Sequence, residues 1–161
     1  MAGETINKEF PDCFPPNFSK EILPQGLPDM QIEVFRVCTV GTISKEAFLS
    51  SYEEMSLGKK PFPHYWEQRK NKPGSFSVSC NDSIQGGLNP LKCLRRPYPK
   101  AFLMCGIASS VFGPMQRTAD RIPNYTDKTH IDWWLYKDAD PSPGFVEVEV
   151  SEENEHTEVS V

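Results

Sequence analysis

No segment of this chain approaches the roughly 18 consecutive apolar residues that a membrane-spanning helix needs, so the sequence predicts no membrane span. Residues 1–10 lack a basic stretch followed by an apolar core, and no secretory signal is expected there. Cys-x-x-Cys is absent. The five cysteines (13, 38, 80, 93 and 105) are odd in number and irregular in spacing, which argues against a zinc knuckle, a thioredoxin-like site and a disulfide framework. Cys38, Cys80 and Cys105 lie in apolar runs, where free cysteine serves as a small hydrophobe, and a reducing, cytoplasmic location follows. Gly-x-Ser-x-Gly, the Walker loop and Gly-x-Gly-x-x-Gly are also missing, which removes the sequence signatures of three large enzyme classes.

Uninterrupted helical stretches are equally scarce. Fifteen prolines spread over 161 residues exclude long helices and favour short elements joined by turns. The length still suits one compact domain with a real core. The net charge of −5 is segregated. Residues 1–58 carry −5, residues 59–100 carry +7, residues 101–146 carry −1 and residues 147–161 carry −6. A basic middle third of this kind marks either an anion-binding face or a charged surface that keeps the domain soluble.

Three regions are expected: an irregular proline-rich arm over 1–29, a single α+β domain over 30–150, and a disordered acidic tail over 151–161. The arm carries Phe10, Phe14 and Phe18, which suit contact with the domain. Residues 31–40 read as a buried strand. Ser44 is placed to cap a helix over 45–55, and a second short helix is expected over 62–72. Residues 75–80 alternate as a strand, Gly86-Gly87 reads as a loop, and Asn89-Pro90 reads as a helix start. Further strands are expected over 100–108, 129–136 and 145–150, with a loop over 116–128 because Pro123 interrupts it. The sum is an α+β fold with a small, mainly antiparallel sheet of about five strands and two or three short helices.

The segment Thr129-His130-Ile131-Asp132-Trp133-Trp134-Leu135-Tyr136 is the richest in chemistry. As a strand it places Ile131, Trp133 and Leu135 on one face and His130, Asp132, Trp134 and Tyr136 on the other. His130 and Asp132 lie about 7 Å apart along the strand, too far for a direct bond yet able to share a ligand. His-x-Asp also begins the iron-binding facial triad, but the one histidine downstream, His156, follows 24 residues on within the acidic tail. A metal site is therefore not expected. Trp134 and Tyr136 form an aromatic stripe that either stacks a ligand ring or is covered as a second core.

Arg36 shares a strand face with Ile32, Val34, Cys38 and Val40, so it needs an ion-pair partner such as Asp132 or a ligand anion. Arg36 on an early strand, Ser77-Val78-Ser79 on a middle one and Glu147-Val148-Glu149 near the end follow in an order that resembles the Arg, Ser-x-Ser, Glu-x-Glu pattern of ADP-ribosyltransferases. The resemblance implies that Arg36 and Ser77 position a dinucleotide and that Glu149 supports ribosyl transfer. Cys105, set among Phe102, Leu103 and Met104, reads as a core thiol, and His64 as a turn residue. Arg69, Lys70, Lys72, Lys92, Arg95 and Arg96, with Tyr65, Trp66 and Tyr98 nearby, combine positive charge with stacking surface.

The leading expectation is a binding protein for an anionic partner, a nucleotide or nucleic acid, through Arg36, His130, Asp132, Trp134, Tyr136, Arg95 and Arg96. Two alternatives stand beside it. One is a small transferase or hydrolase, of the ADP-ribosyltransferase type or another. The other is a protein–protein adaptor that docks through the arm or the acidic tail.

Overall fold

The computed structural model describes residues 7–59 and 66–150. Residues 62–65 of the helix expected over 62–72, His64 and Tyr65 among them, and the acidic tail with His156 lie outside them. The fold is α+β, built on one antiparallel sheet of six strands in the order β4-β5-β2-β1-β3-β6. The strands are β1 (Gln31–Cys38), β2 (Val78–Asn81), β3 (Phe102–Ser109), β4 (Met115–Arg117), β5 (His130–Trp133) and β6 (Val146–Glu147). Helices α1 (Ser51–Ser56), α2 (Trp66–Arg69), α3 (Ile84–Leu94) and α4 (Thr118–Arg121) are short, as the proline content predicts. Among the described residues no helix is long and apolar enough to cross a membrane.

The sheet is covered on both faces. Val34, Cys38, Val78, Cys80, Met104, Ile131 and Trp133 point to one side, where the 3₁₀ turn Lys45–Phe48 and Phe145 close over them. On the other side Val37 and Leu103 pack against Leu88 and Leu91 of α3. Farther along that second face, Trp134 and Phe76 meet Phe14 and Phe18 of the N-terminal arm. The arm turns there through a single π-helical turn, Phe18–Ile22, closed by Leu23 N–H donating to the Phe18 carbonyl at 2.8 Å. Phe10 docks on Tyr136 with ring centroids 5.2 Å apart.

Several expected elements move. The helix expected over 45–55 breaks at Leu49, whose backbone is extended, and restarts at α1. Its cap is Ser50, not Ser44. Ser50 Oγ accepts from Glu53 N–H and Glu53 reaches back to Ser50 N–H, a reciprocal capping box. Gly86-Gly87 is not a loop, and Asn89-Pro90 does not start a helix. Both lie inside α3, which begins with Ser83 Oγ accepting from Gly86 N–H. The glycines are there because the helix runs close to the sheet. A Cβ on Gly86 would come within 3.0 Å of Thr129 Cβ, and one on Gly87 within 3.0 Å of Leu103 Cδ1. The run 116–128 is not a plain loop: it holds most of β4 and all of α4.

β1 and β2 register through one pair, Phe35 opposite Asn81, whereas β1 and β3 match along all of β1. Beyond that single rung Arg36 bridges the two strands. Its Nη1 donates to the Ser79 carbonyl (2.8 Å), Nε to the Ala47 carbonyl (2.9 Å) and Nη2 to the Leu49 carbonyl (3.3 Å). The arginine thus meets neither Asp132 nor a glutamate. It is held by main-chain dipoles, which offset the cost of drawing a guanidinium inside.

Candidate functional site

The second face of the sheet, between α3 and the arm, is polar. Antiparallel register sets Ser79 opposite Asp132 and Asn81 opposite His130, with all four side chains on that face. Ser77 lies two residues before Ser79 and therefore on the same side. A cavity of about 350 Å³ opens here, where β1 and β2 part, and its polar lining includes Arg36, Ser77, Ser79, Asn81, Asp127 and His130.

Asp132, 2% exposed, anchors this region. Its Oδ1 accepts from Ser77 Oγ at 2.5 Å, and its Oδ2 accepts from Thr118 Oγ1 at 2.9 Å and from Arg121 Nη2 at 2.8 Å. A buried carboxylate with three donors, one of them a guanidinium, is a stable arrangement; the same group alone would not be. Arg121 is fixed in turn by Gln116 Oε1, 2.9 Å from its Nη1, and by the Trp134 ring, 5.6 Å from its guanidinium carbon. Next to this cluster Asn81 Nδ2 donates to Asp127 Oδ2 (2.9 Å) and to Thr129 Oγ1 (2.8 Å).

The state of His130 follows from these bonds. Thr118 has one hydroxyl proton, and Asp132 takes it. The 2.6 Å contact between Thr118 Oγ1 and His130 Nδ1 therefore requires the proton on Nδ1. A relay results: His130 Nδ1–H to Thr118 Oγ1–H to Asp132, with Arg121 behind it. Burial holds the imidazole below the ordinary histidine pKa; Asp132 and Asp127 pull the other way, and Arg121 and Arg36 add to the lowering. His130 is thus neutral at neutral pH, with a bare lone pair on Nε2. Among the described residues Nε2 has no hydrogen-bond partner, and neither has the Ser79 hydroxyl.

The expected site residues separate into groups. Arg36, Ser77 and His130 line the cavity, and Asp132 supports Ser77 directly and His130 through Thr118. Trp134 is fully buried, with Nε1 donating to the Pro73 carbonyl at 2.9 Å, so it offers no ring face to a ligand. Both tryptophans are core, because the arm covers the second face and each indole N–H finds a carbonyl; that of Trp133 donates to Gly113. Tyr136 packs on Phe10 rather than beside His130. Glu149 is exposed beyond the edge strand β6, outside the cavity, so the three positions that resemble the ADP-ribosyltransferase pattern do not converge. Arg95 follows the last residue of α3, with Nε donating to the Ala101 carbonyl at 3.2 Å, and Arg96 is exposed beside it. Burial raises the Cys105 thiol to about 11 and the Cys80 thiol to about 12, so both are poor nucleophiles.

Thr118, Arg121, Ser79, Asn81 and Asp127 complete the site. Thr118 and Arg121 stand three residues apart, a helical spacing within the run read as loop. That spacing was the available signal. Comparison with known proteins returns no matching family model, no matching curated protein and no matching solved structure.

Proposed function

We propose that this protein is a binding protein for a small, uncharged organic ligand rich in hydrogen-bond donors, seated in the cavity between α3 and α1. The observation that carries this reading is the unshared Nε2 of His130, held as an acceptor by the Thr118–Asp132 relay. Ser79 adds an unengaged hydroxyl, and Phe35, Val37, Leu49 and Leu94 supply apolar contact for a carbon skeleton. An anion is disfavoured inside. Asp127 and Glu54 face the cavity, and three of the five N–H groups of the one guanidinium there already meet carbonyls. The test is a panel of neutral alcohols, amides and amines, followed by NMR at the His130 ring and by melting temperature. Binders should shift the His130 resonances and raise Tm, and Ser79→Ala with His130→Gln should remove both effects. Binders that leave His130 unmoved would refute the reading.

A second reading concerns the surface. Tyr98, 39% exposed at the edge of the cavity, is flanked by Arg95, Arg96 and Lys100, a charged and aromatic segment suited to a nucleotide or a single-stranded nucleic acid. Anisotropy of a labelled oligonucleotide should then weaken steeply with salt and vanish in Arg96→Glu/Lys100→Glu. Binding unchanged by that double charge reversal removes this reading.

A further inference from the structure

The geometry points to a second capacity of the same cavity: Ser79 is a nucleophile for acyl transfer, His130 its general base and Arg36 its oxyanion donor, with neutral esters as the substrate class. The inference rests on the cavity being a ligand site, and it asks more of that site than binding.

The first observation is the placement of His130. Its strand, β5, lies between β4 and β2. Nδ1 is turned to Thr118, which directly follows β4. Nε2, across the ring, is therefore turned to the β2 side, where Ser79 stands. Ser79 is paired with Asp132, two residues from His130, so Ser79 and His130 are diagonal neighbours on one face. Such neighbours are about 7–8 Å apart at Cα and closer at Cβ, so a side-chain rotation brings Nε2 and the Ser79 hydroxyl, which are not hydrogen-bonded in the structure, within reach. A base whose far nitrogen is oriented by a hydroxyl and a buried carboxylate has the logic of a nucleophile–base–orienter relay. Here threonine is inserted between histidine and aspartate.

The second observation concerns the charge that forms on attack. Arg36 Nη1 bonds the carbonyl of Ser79 itself, so the guanidinium is fixed within one residue of the nucleophile. Three of its five N–H groups are engaged with carbonyls. Among the described residues the other two have no carbonyl partner, and Arg36 is one of the residues that line the cavity. A neutral ester acquires negative charge at its carbonyl oxygen only as the tetrahedral species forms, which is when a fixed cation is most effective.

The chemistry balances without a co-reactant other than water. Ser79 Oγ forms a bond to the acyl carbon while its proton passes to His130 Nε2. The C–O bond to the leaving alcohol then breaks and that alcohol takes the proton. Water, deprotonated by the same nitrogen, releases the acid and restores Ser79. Ser79, His130 and Arg36 are the catalytic residues; Thr118, Asp132 and Arg121 are positioning residues.

The experiment uses the full chain with an alkyl fluorophosphonate, which should transfer its phosphonyl group to Ser79 with loss of fluoride, and with p-nitrophenyl butyrate as a turnover substrate. Peptide mapping should place one adduct at Ser79, absent in Ser79→Ala. His130→Gln should slow labelling by about 100-fold or more. Thr118→Val should slow it and move the pH midpoint of labelling, and Thr118→Ser should restore both, which a purely structural role would not do. Circular dichroism of each variant separates loss of reaction from loss of fold. No adduct on a folded wild-type chain, an adduct elsewhere, or labelling indifferent to His130→Gln overturns the inference. If fragments still shift the His130 resonances in that case, the binding reading stands and only the acyl-transfer step falls.

Discussion

At the scale of single residues, Asp132 and Arg36 show how a buried charge is tolerated by two different means. Asp132 has a guanidinium, two hydroxyls and almost no water. Asp132→Ala strands Arg121, itself only 19% exposed, and should cost about 3–5 kcal/mol by urea denaturation. Arg36 has only main-chain carbonyls, so Arg36→Leu leaves three acceptors unpaired and should cost roughly 1–3 kcal/mol. His130 carries a pH signature. Burial holds its folded pKa below the ordinary 6.5, so the unfolded chain takes up the proton first. Its contribution to stability is intact above about 6.5 and is lost as pH falls through that value toward the folded pKa. Urea midpoints measured from pH 8 down to pH 5 should decline accordingly, and His130→Gln should flatten that part of the decline. Sequence alone identified Arg36 as needing a partner, because a charge in an apolar pattern cannot stand alone, and placed His130 and Asp132 together on one strand face. It did not reveal the partners. Arg121 and Ser77 come from segments with no periodicity linking them to residue 132, and only the tertiary fold brings them to it.

At the scale of elements, every strand but β4 was legible and the helix boundaries were not. Strands were expected over 31–40, 100–108 and 129–136, and β1, β3 and β5 form there, although β5 is buried on both faces and so does not alternate in exposure. Helix α3 was hidden because its glycines and proline are local signs of a loop, while tertiary packing demands them. Gly86→Ala tests this directly. The added methyl must displace Thr129 and with it the Asn81–Asp127–Thr129 bonds, so the change should destabilise by roughly 1–3 kcal/mol although alanine is the better helix former. If it stabilises instead, the close approach of α3 to the sheet is wrong.

At the scale of the whole molecule, the N-terminal arm works as a structural layer. Phe14 and Phe18 complete the cluster that holds Trp134 and Phe76, and Trp134 is in turn the ring beneath Arg121. The arm is therefore linked to the Asp132 relay through two contacts. Phe18→Ala should cost about 3–5 kcal/mol and shift tryptophan emission to the red as Trp134 meets water. Proline-rich composition made the arm look peripheral. Its phenylalanines argued otherwise, and they prevailed because the second sheet face, beyond the end of α3, had no other cover.

The single rung between β1 and β2 also divides the molecule mechanically. In backbone terms the sheet is two ribbons, β4-β5-β2 and β1-β3-β6, stitched at Phe35–Asn81 and clasped by one guanidinium. Hydrogen–deuterium exchange should find that seam first. Amides flanking it will open at lower free energy than those inside either ribbon, and the cavity will breathe as the ribbons part.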